Sequence, residues 1–155
     1  MSSHQHHVGV VGPSRPTSAQ AAVAEQVGEL IAEAGAVLVT GGLGGVMEAA
    51  SRGARQRGGL TVGLLPGLSR AEANEHVVVA IPTGVGEMRN ALVVRSCDAV
   101  VCVGGSWGTL SEVALATRAG VPLVAVDGWD LPYDGAPPTV GSAEEAVNRV
   151  LGWLG

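Results

Sequence analysis

Val103-Gly104-Gly105-Ser106-Trp107-Gly108-Thr109-Leu110-Ser111-Glu112 joins an apolar run, Ala99–Val103, to a helical pattern over residues 110–119. An apolar run entering a helix through glycines predicts a strand-to-helix turn. The first amides of such a helix have no intrahelical acceptor and lie at the positive end of its dipole, where an anion such as phosphate is stabilised. Glu112 puts a carboxylate beside this turn. Next to a phosphate it would repel the ligand unless it faced another part of it, which makes Glu112 a candidate for proton chemistry or for a ribose hydroxyl. The pattern therefore points to a nucleotide-like ligand.

Working outward, the same grammar repeats. Residues 8–11 form a short apolar run ending in Gly12-Pro13-Ser14, and 36–39 form another ending in Thr40-Gly41-Gly42-Leu43-Gly44-Gly45. Further strands are expected at 60–65, 76–81 and 121–126, and helices at 21–34, 46–56, 87–97 and 143–154. Residues 127–141 read as a proline-rich loop. Strands apolar on both faces, alternating with helices, predict an α/β fold: a doubly wound, mainly parallel, Rossmann-like sheet in a single domain. Residues 1–7 are expected to be a flexible histidine-rich tail and 8–155 the nucleotide-binding domain. Parallel strands would bring the turns at Gly12, 41–45 and 104–108 to one edge of the sheet, where ligands of such folds bind.

Composition narrows the function. The chain has 155 residues, 46% hydrophobic and 15% charged, with a net charge of −5. It is long enough for a buried core without disulfide or metal staples. Its arginines are scattered, which argues against a nucleic-acid partner. No apolar stretch approaches the roughly 20 residues of a membrane span, and no signal peptide is evident, so a cytoplasmic protein is expected. All nine basic residues are arginine. Without lysine, neither a pyridoxal-phosphate Schiff base nor a Walker-type phosphate lysine is available. Cys97 and Cys102 lack metal or redox spacing and read as buried thiols. No metal site is expected, and His76 receives no role.

The candidate ligand residues are Gly12, Ser14, Gly41, Gly42, Gly44, Gly45, Gly105, Ser106, Gly108 and Thr109, with Arg89 and Glu112 as candidates for chemistry. Each has a plainer reading. Thr109-x-x-Glu112 also fits a helix capping box, like the patterns starting at Thr17 and Ser142. Arg89 falls in the first turn of its helix, where the dipole disfavours a cation. A bound anion would offset that cost, or Arg89 is an exposed side chain paired with Glu87. Trp107 either stacks on a base or packs against the turn.

Gly104-Gly105-Ser106-Trp107-Gly108-Thr109-x-x-Glu112 resembles the PGGxGTxxE signature of the LOG-like family, long mislabelled lysine decarboxylases. Glu87-Met88-Arg89-Asn90 resembles that family's arginine motif, and Gly41–Gly45 with Val46-Met47-Glu48-Ala49-Ala50 resembles its early phosphate loop. The resemblance implies hydrolysis of a nucleoside 5′-monophosphate to free base and ribose 5-phosphate, with Arg89 and Glu112 as the catalytic pair and no required cofactor. It also implies a homo-oligomer, a dimer or tetramer, which fits the surplus of apolar residues over 87–97. Three positions depart from the family pattern: Gly104 replaces proline, Ser106 replaces the second glycine, and Asn90 replaces a lysine. Gly-Glu-x-Arg-Asn and the short chain are closer to the branch that includes molybdenum-cofactor carriers. That branch implies a non-catalytic carrier or sensor of a phosphorylated pterin.

Overall fold

The computed structural model describes residues 4–155. Seven strands form one parallel sheet: β1 (His7–Val11), β2 (Val37–Thr40), β3 (Thr61–Leu65), β4 (Val79–Pro82), β5 (Ala99–Val103), β6 (Leu123–Val126) and β7 (Thr139–Val140). Their order across the sheet is β4-β3-β2-β1-β5-β6-β7. Five helices complete the domain: α1 (Ser18–Glu33), α2 (Val46–Gln56), α3 (Arg89–Arg95), α4 (Trp107–Ala119) and α5 (Ala143–Leu154). The expected doubly wound Rossmann-like architecture is what the chain adopts.

Alternation of side chains along each strand sorts the core into two layers. Val8, Val10, Leu38, Val101 and Val103 pack with residues of α1, α2 and α5 on one face. Val11, Val37, Val39, Val100 and Cys102 pack with residues of α3 and α4 on the other. At about 25 cal/mol per Å² of apolar surface, each fully buried valine or leucine contributes roughly 1.5–3 kcal/mol, which is why both faces of the central strands are apolar.

Local chemistry fixes the helix ends. Thr17 and Gln20 form a reciprocal capping box at the start of α1, and Ser142 Oγ accepts the Glu145 amide at the start of α5. Helix α4 stops at Gly120, in the left-handed region at φ 73°, as a C-terminal glycine permits. Helices α1 and α2 touch backbone to backbone: a Cβ on Gly28 would lie 2.0 Å from Ala50 O, and one on Gly53 2.0 Å from Glu25 O.

Several boundaries differ from expectation. Strand β1 begins at His7, whose amide donates to Asp98 Oδ2, and Gln5 bonds to Gly35 O; residues 1–3 of the expected tail lie outside the described residues. Strand β4 starts at Val79 rather than 76, because the Asn74 side chain holds the preceding residues in a turn against Gly42 O and Leu43 O. Helix α3 is shorter than expected and is entered through a 3₁₀ turn, Gly86–Met88. The proline-rich loop contains β7, paired to β6 through Ala125↔Thr139 and Val126↔Val140. No helix among the described residues is long and apolar enough to cross a membrane.

Candidate functional site

The sheet order places the site. From β1 the chain winds outward through β2, β3 and β4, then returns to lay β5 on the other side of β1. The turns after β1 and β5 therefore diverge around a crevice, the usual ligand position in open parallel sheets. A cavity of about 310 Å³ opens there. Its lining includes Gly12 and Ser14 after β1, Arg89 of α3, and Ser106, Gly108, Thr109 and Glu112 around the start of α4. Those seven sequence candidates converge.

Arg89 and Glu112 are each only 9% exposed. Burial lowers the Arg89 pKa, against the raising fields of Glu112 and Glu87. Burial pushes the Glu112 carboxyl up to about 7, and the Arg89 charge only partly opposes it. Among the described residues, the two form no direct ion pair. One Arg89 amino group bonds to Asn90 Oδ1, the guanidinium packs over Gly41, where a Cβ would come within 2.8 Å, and its buried Nε has no acceptor. A buried donor without a partner costs about 1–3 kcal/mol.

The start of α4 is open to the same cavity. Ser106, in extended conformation, is the N-cap: its Oγ accepts the Thr109 amide at 3.2 Å and pairs with Thr109 Oγ1 at 2.8 Å. The first backbone bond of the helix runs from Leu110 N to Ser106 O, so the Trp107 and Gly108 amides precede it. The capping-box reading of Thr109-x-x-Glu112 is thereby corrected. Glu112 lies beyond the first turn, and its carboxylate caps nothing.

The glycines of the turn after β2, Gly41, Gly42, Gly44 and Gly45, lie outside this lining, although Leu43 and Met47 are present. The Gly42 amide donates to Thr40 Oγ1 and the Val46 amide to Pro13 O. Gly45 has φ 71°, and a Cβ there would meet Pro13 O at 2.5 Å. The turn is shaped to bring α2 against the turn after β1. Gly105 is also outside the lining; its Cα lies under the Trp129 ring, where a Cβ would be 2.8 Å from Nε1.

Sequence reasoning gave no role to Trp129, and named Glu87 and Met47 only within motifs or, for Glu87, as a partner of Arg89. Asn90 and Glu87 were visible as neighbours of Arg89. Trp129 carried no local signal, since its place beside Trp107, with ring centroids 5.4 Å apart, depends on the adjacency of β5 and β6. Away from this lining, Glu48, Glu75 and His76 place ligand atoms within 4.8 Å of one another. Glu75 is exposed, and His76 Nε2 lies 3.5 Å from its carboxylate, the arrangement of a solvated ion pair.

The chain is similar to known proteins over nearly its whole length. An uncharacterised protein of Archaeoglobus fulgidus is 45% identical over 151 residues, 93% of either chain. The molybdenum cofactor binding protein of Rippkaea orientalis is 36% identical and superposes with a TM-score of 0.94, covering 99% of this chain and 100% of that one. The molybdenum cofactor carrier protein of Chlamydomonas reinhardtii is 32% identical, with a TM-score of 0.86 over 97% of this chain and 99% of that one. The family model for SLOG cluster4 matches residues 5–149. With nearly its whole length matched and the LOG-like turn set at the crossover of its sheet, this chain belongs to the SLOG cluster4 family.

Proposed function

We propose that this protein binds a phosphorylated pterin of the molybdenum-cofactor class and carries it without cleaving it. The observation that supports this most is Arg89, a buried guanidinium with an unsatisfied Nε at the rim of an open helix N-terminus. A cation there and the amides of Trp107 and Gly108 suit a phosphate monoester. The likeness to two carrier or binding proteins over almost the entire chain supports the pterin over a generic nucleotide. Gly12, Ser14, Ser106 and Thr109 would complete the phosphate cradle.

Glu112 supports a second reading, hydrolysis of a nucleoside 5′-monophosphate. With its carboxyl pushed up to about 7, it suits proton transfer near neutral pH. As carboxylate it would take a proton from water as the water oxygen bonds to C1′ of the ribose. The C1′–N bond breaks as that bond forms; the base leaves with its electron pair and is protonated from solvent, to which Glu112 then returns its proton. Arg89 would hold the phosphate. No cofactor is required in either reading, and both fit a cytoplasmic protein. A homo-oligomer is also part of the proposal, resting on the exposed Met88 and Leu92 of the α3 region.

Calorimetric titration with a monophosphorylated pterin and a panel of nucleoside 5′-monophosphates, with chromatography for free base, separates the readings. Tight pterin binding without base release is expected, weakened about 30- to 100-fold in Arg89→Ala, the loss of one charge-assisted contact. Base release abolished by Glu112→Gln would replace the carrier with the hydrolase. Binding unaffected by Arg89→Ala would remove the phosphate from this cavity.

A further inference from the structure

No aromatic ring lies in either layer of the core, which is built from valine, alanine, leucine, isoleucine and cysteine. The chain has only three tryptophans and one tyrosine, with no phenylalanine. Two of the tryptophans meet at the ligand edge. Trp107, the first residue of α4, is 79% exposed, and Trp129 lies tilted against it at 38°. An exposed indole leaves a large apolar surface in water. Its place beside a ligand cavity suggests that the burial comes with the ligand.

Trp107 walls a second cavity of about 550 Å³ together with Met88, Ala91 and Leu115. This cavity shares Glu87, Asn90 and Gly108 with the one lined by Arg89, so the two are adjacent. One end offers a buried cation and free amides, and the other offers an apolar slot with an indole wall. That division matches a ligand carrying a phosphate at one end and a flat ring at the other. Trp129 stands behind Trp107 and packs on the Gly105 backbone, with its Nε1–H buried and without an acceptor.

We infer that Trp107 is the stacking platform for the planar heteroaromatic ring of the phosphorylated ligand. This rests on the anion-binding reading above. It assigns the α3–α4 slot to the ring, and it makes ring selection the task of the position between the glycine pair and Gly108.

The test compares a monophosphorylated pterin with ribose 5-phosphate, which has a phosphate and no aromatic ring, in calorimetric titrations of wild type, Trp107→Ala and Trp107→Phe. Stacking on one aromatic ring accounts for about ten- to a hundredfold in affinity. Trp107→Ala should therefore weaken the pterin by that factor and leave ribose 5-phosphate unchanged, with Trp107→Phe restoring most of the loss. Equal weakening of both probes, or of neither, overturns the inference and leaves the anion site standing. A drop in mass by light scattering in Trp107→Ala, without a selective loss of the pterin, would make the slot a contact between copies of this chain. If no phosphorylated probe binds the wild type, the anion site fails and the ring subsite with it.

Discussion

The turn after β2 and the turn after β5 are both glycine-rich links from a strand to a helix, yet their amides go to different places. In the turn after β2, Gly42 and Val46 donate to Thr40 Oγ1 and Pro13 O. Its positive-φ glycines let it nest against the turn after β1. In the turn after β5, Ser106 takes one amide and those of Trp107 and Gly108 lie ahead of the first helical bond, where Gly108 lines the same cavity as Arg89 and Glu112. Strand β5 adjoins β1 on the side to which the chain returns, while β2 lies within the outgoing half of the sheet. Glycine after a strand therefore shows that the backbone is tightly shaped. Whether that shape serves a ligand depends on where the amides point and how close the strand lies to the crossover.

The largest effect should come from breaking the packing turn. Gly45→Ala puts a Cβ 2.5 Å from Pro13 O at a φ of 71°, a left-handed residue and an overpacked contact together, for about 3 kcal/mol. Chemical denaturation should show that loss, and because the same Cβ would lie 2.6 Å from the Ser14 backbone, any fall in phosphate affinity should accompany it. A variant of native stability that binds phosphate poorly would make the β2 turn a direct ligand contact and erase the distinction.

Glu112→Gln sharpens the other side. The native carboxyl holds its proton to about pH 7, against a usual value of 4.5, so between these values the folded state binds more protons than the unfolded state. Stability should fall as pH rises through that window. The glutamine variant escapes the penalty, and its advantage should grow from nothing below pH 4.5 to at most about 3 kcal/mol at pH 8. Melting curves across pH that run parallel for the two proteins would contradict a buried, costly carboxylate at this turn.

The smallest change tests the open amides. Gly108 sits in helix, and a Cβ there has only Ser106 Oγ at 4.0 Å. Gly108→Ala should raise stability by about 0.5–1 kcal/mol while lowering affinity for the phosphorylated ligand severalfold. Unchanged affinity would move the anion away from the α4 amides.

The alternation of apolar runs and helical patterns was enough to read the architecture, because strands covered on both faces have no polar side to confuse them. The seven lining residues named in advance were legible because each sits in a turn that follows a strand or in the first two turns of a helix. What was hidden depended on distant parts of the chain. The pairing of β7 has only two residues and a proline-rich setting, so its strand character comes from β6 rather than from its own sequence. Two overlapping caps competed at Ser106 and Thr109, and the chain uses the one that immediately follows the glycines. Trp129 joins the site from a loop 22 positions beyond Trp107, and only sheet order brings them together.

The glycine seam between α1 and α2 has a mechanical consequence. With backbones in contact at Gly28 and Gly53, those two helices should move together, carrying the turns after β1 and β2. The opposite jaw of the crevice is hung on α3, seven residues long and entered through a 3₁₀ turn, too short to be stiff alone. Opening to admit a ligand would then be a hinge of one jaw against a fixed anvil. In hydrogen exchange, the amides of residues 86–95 should trade protons long before those of α1 and α2.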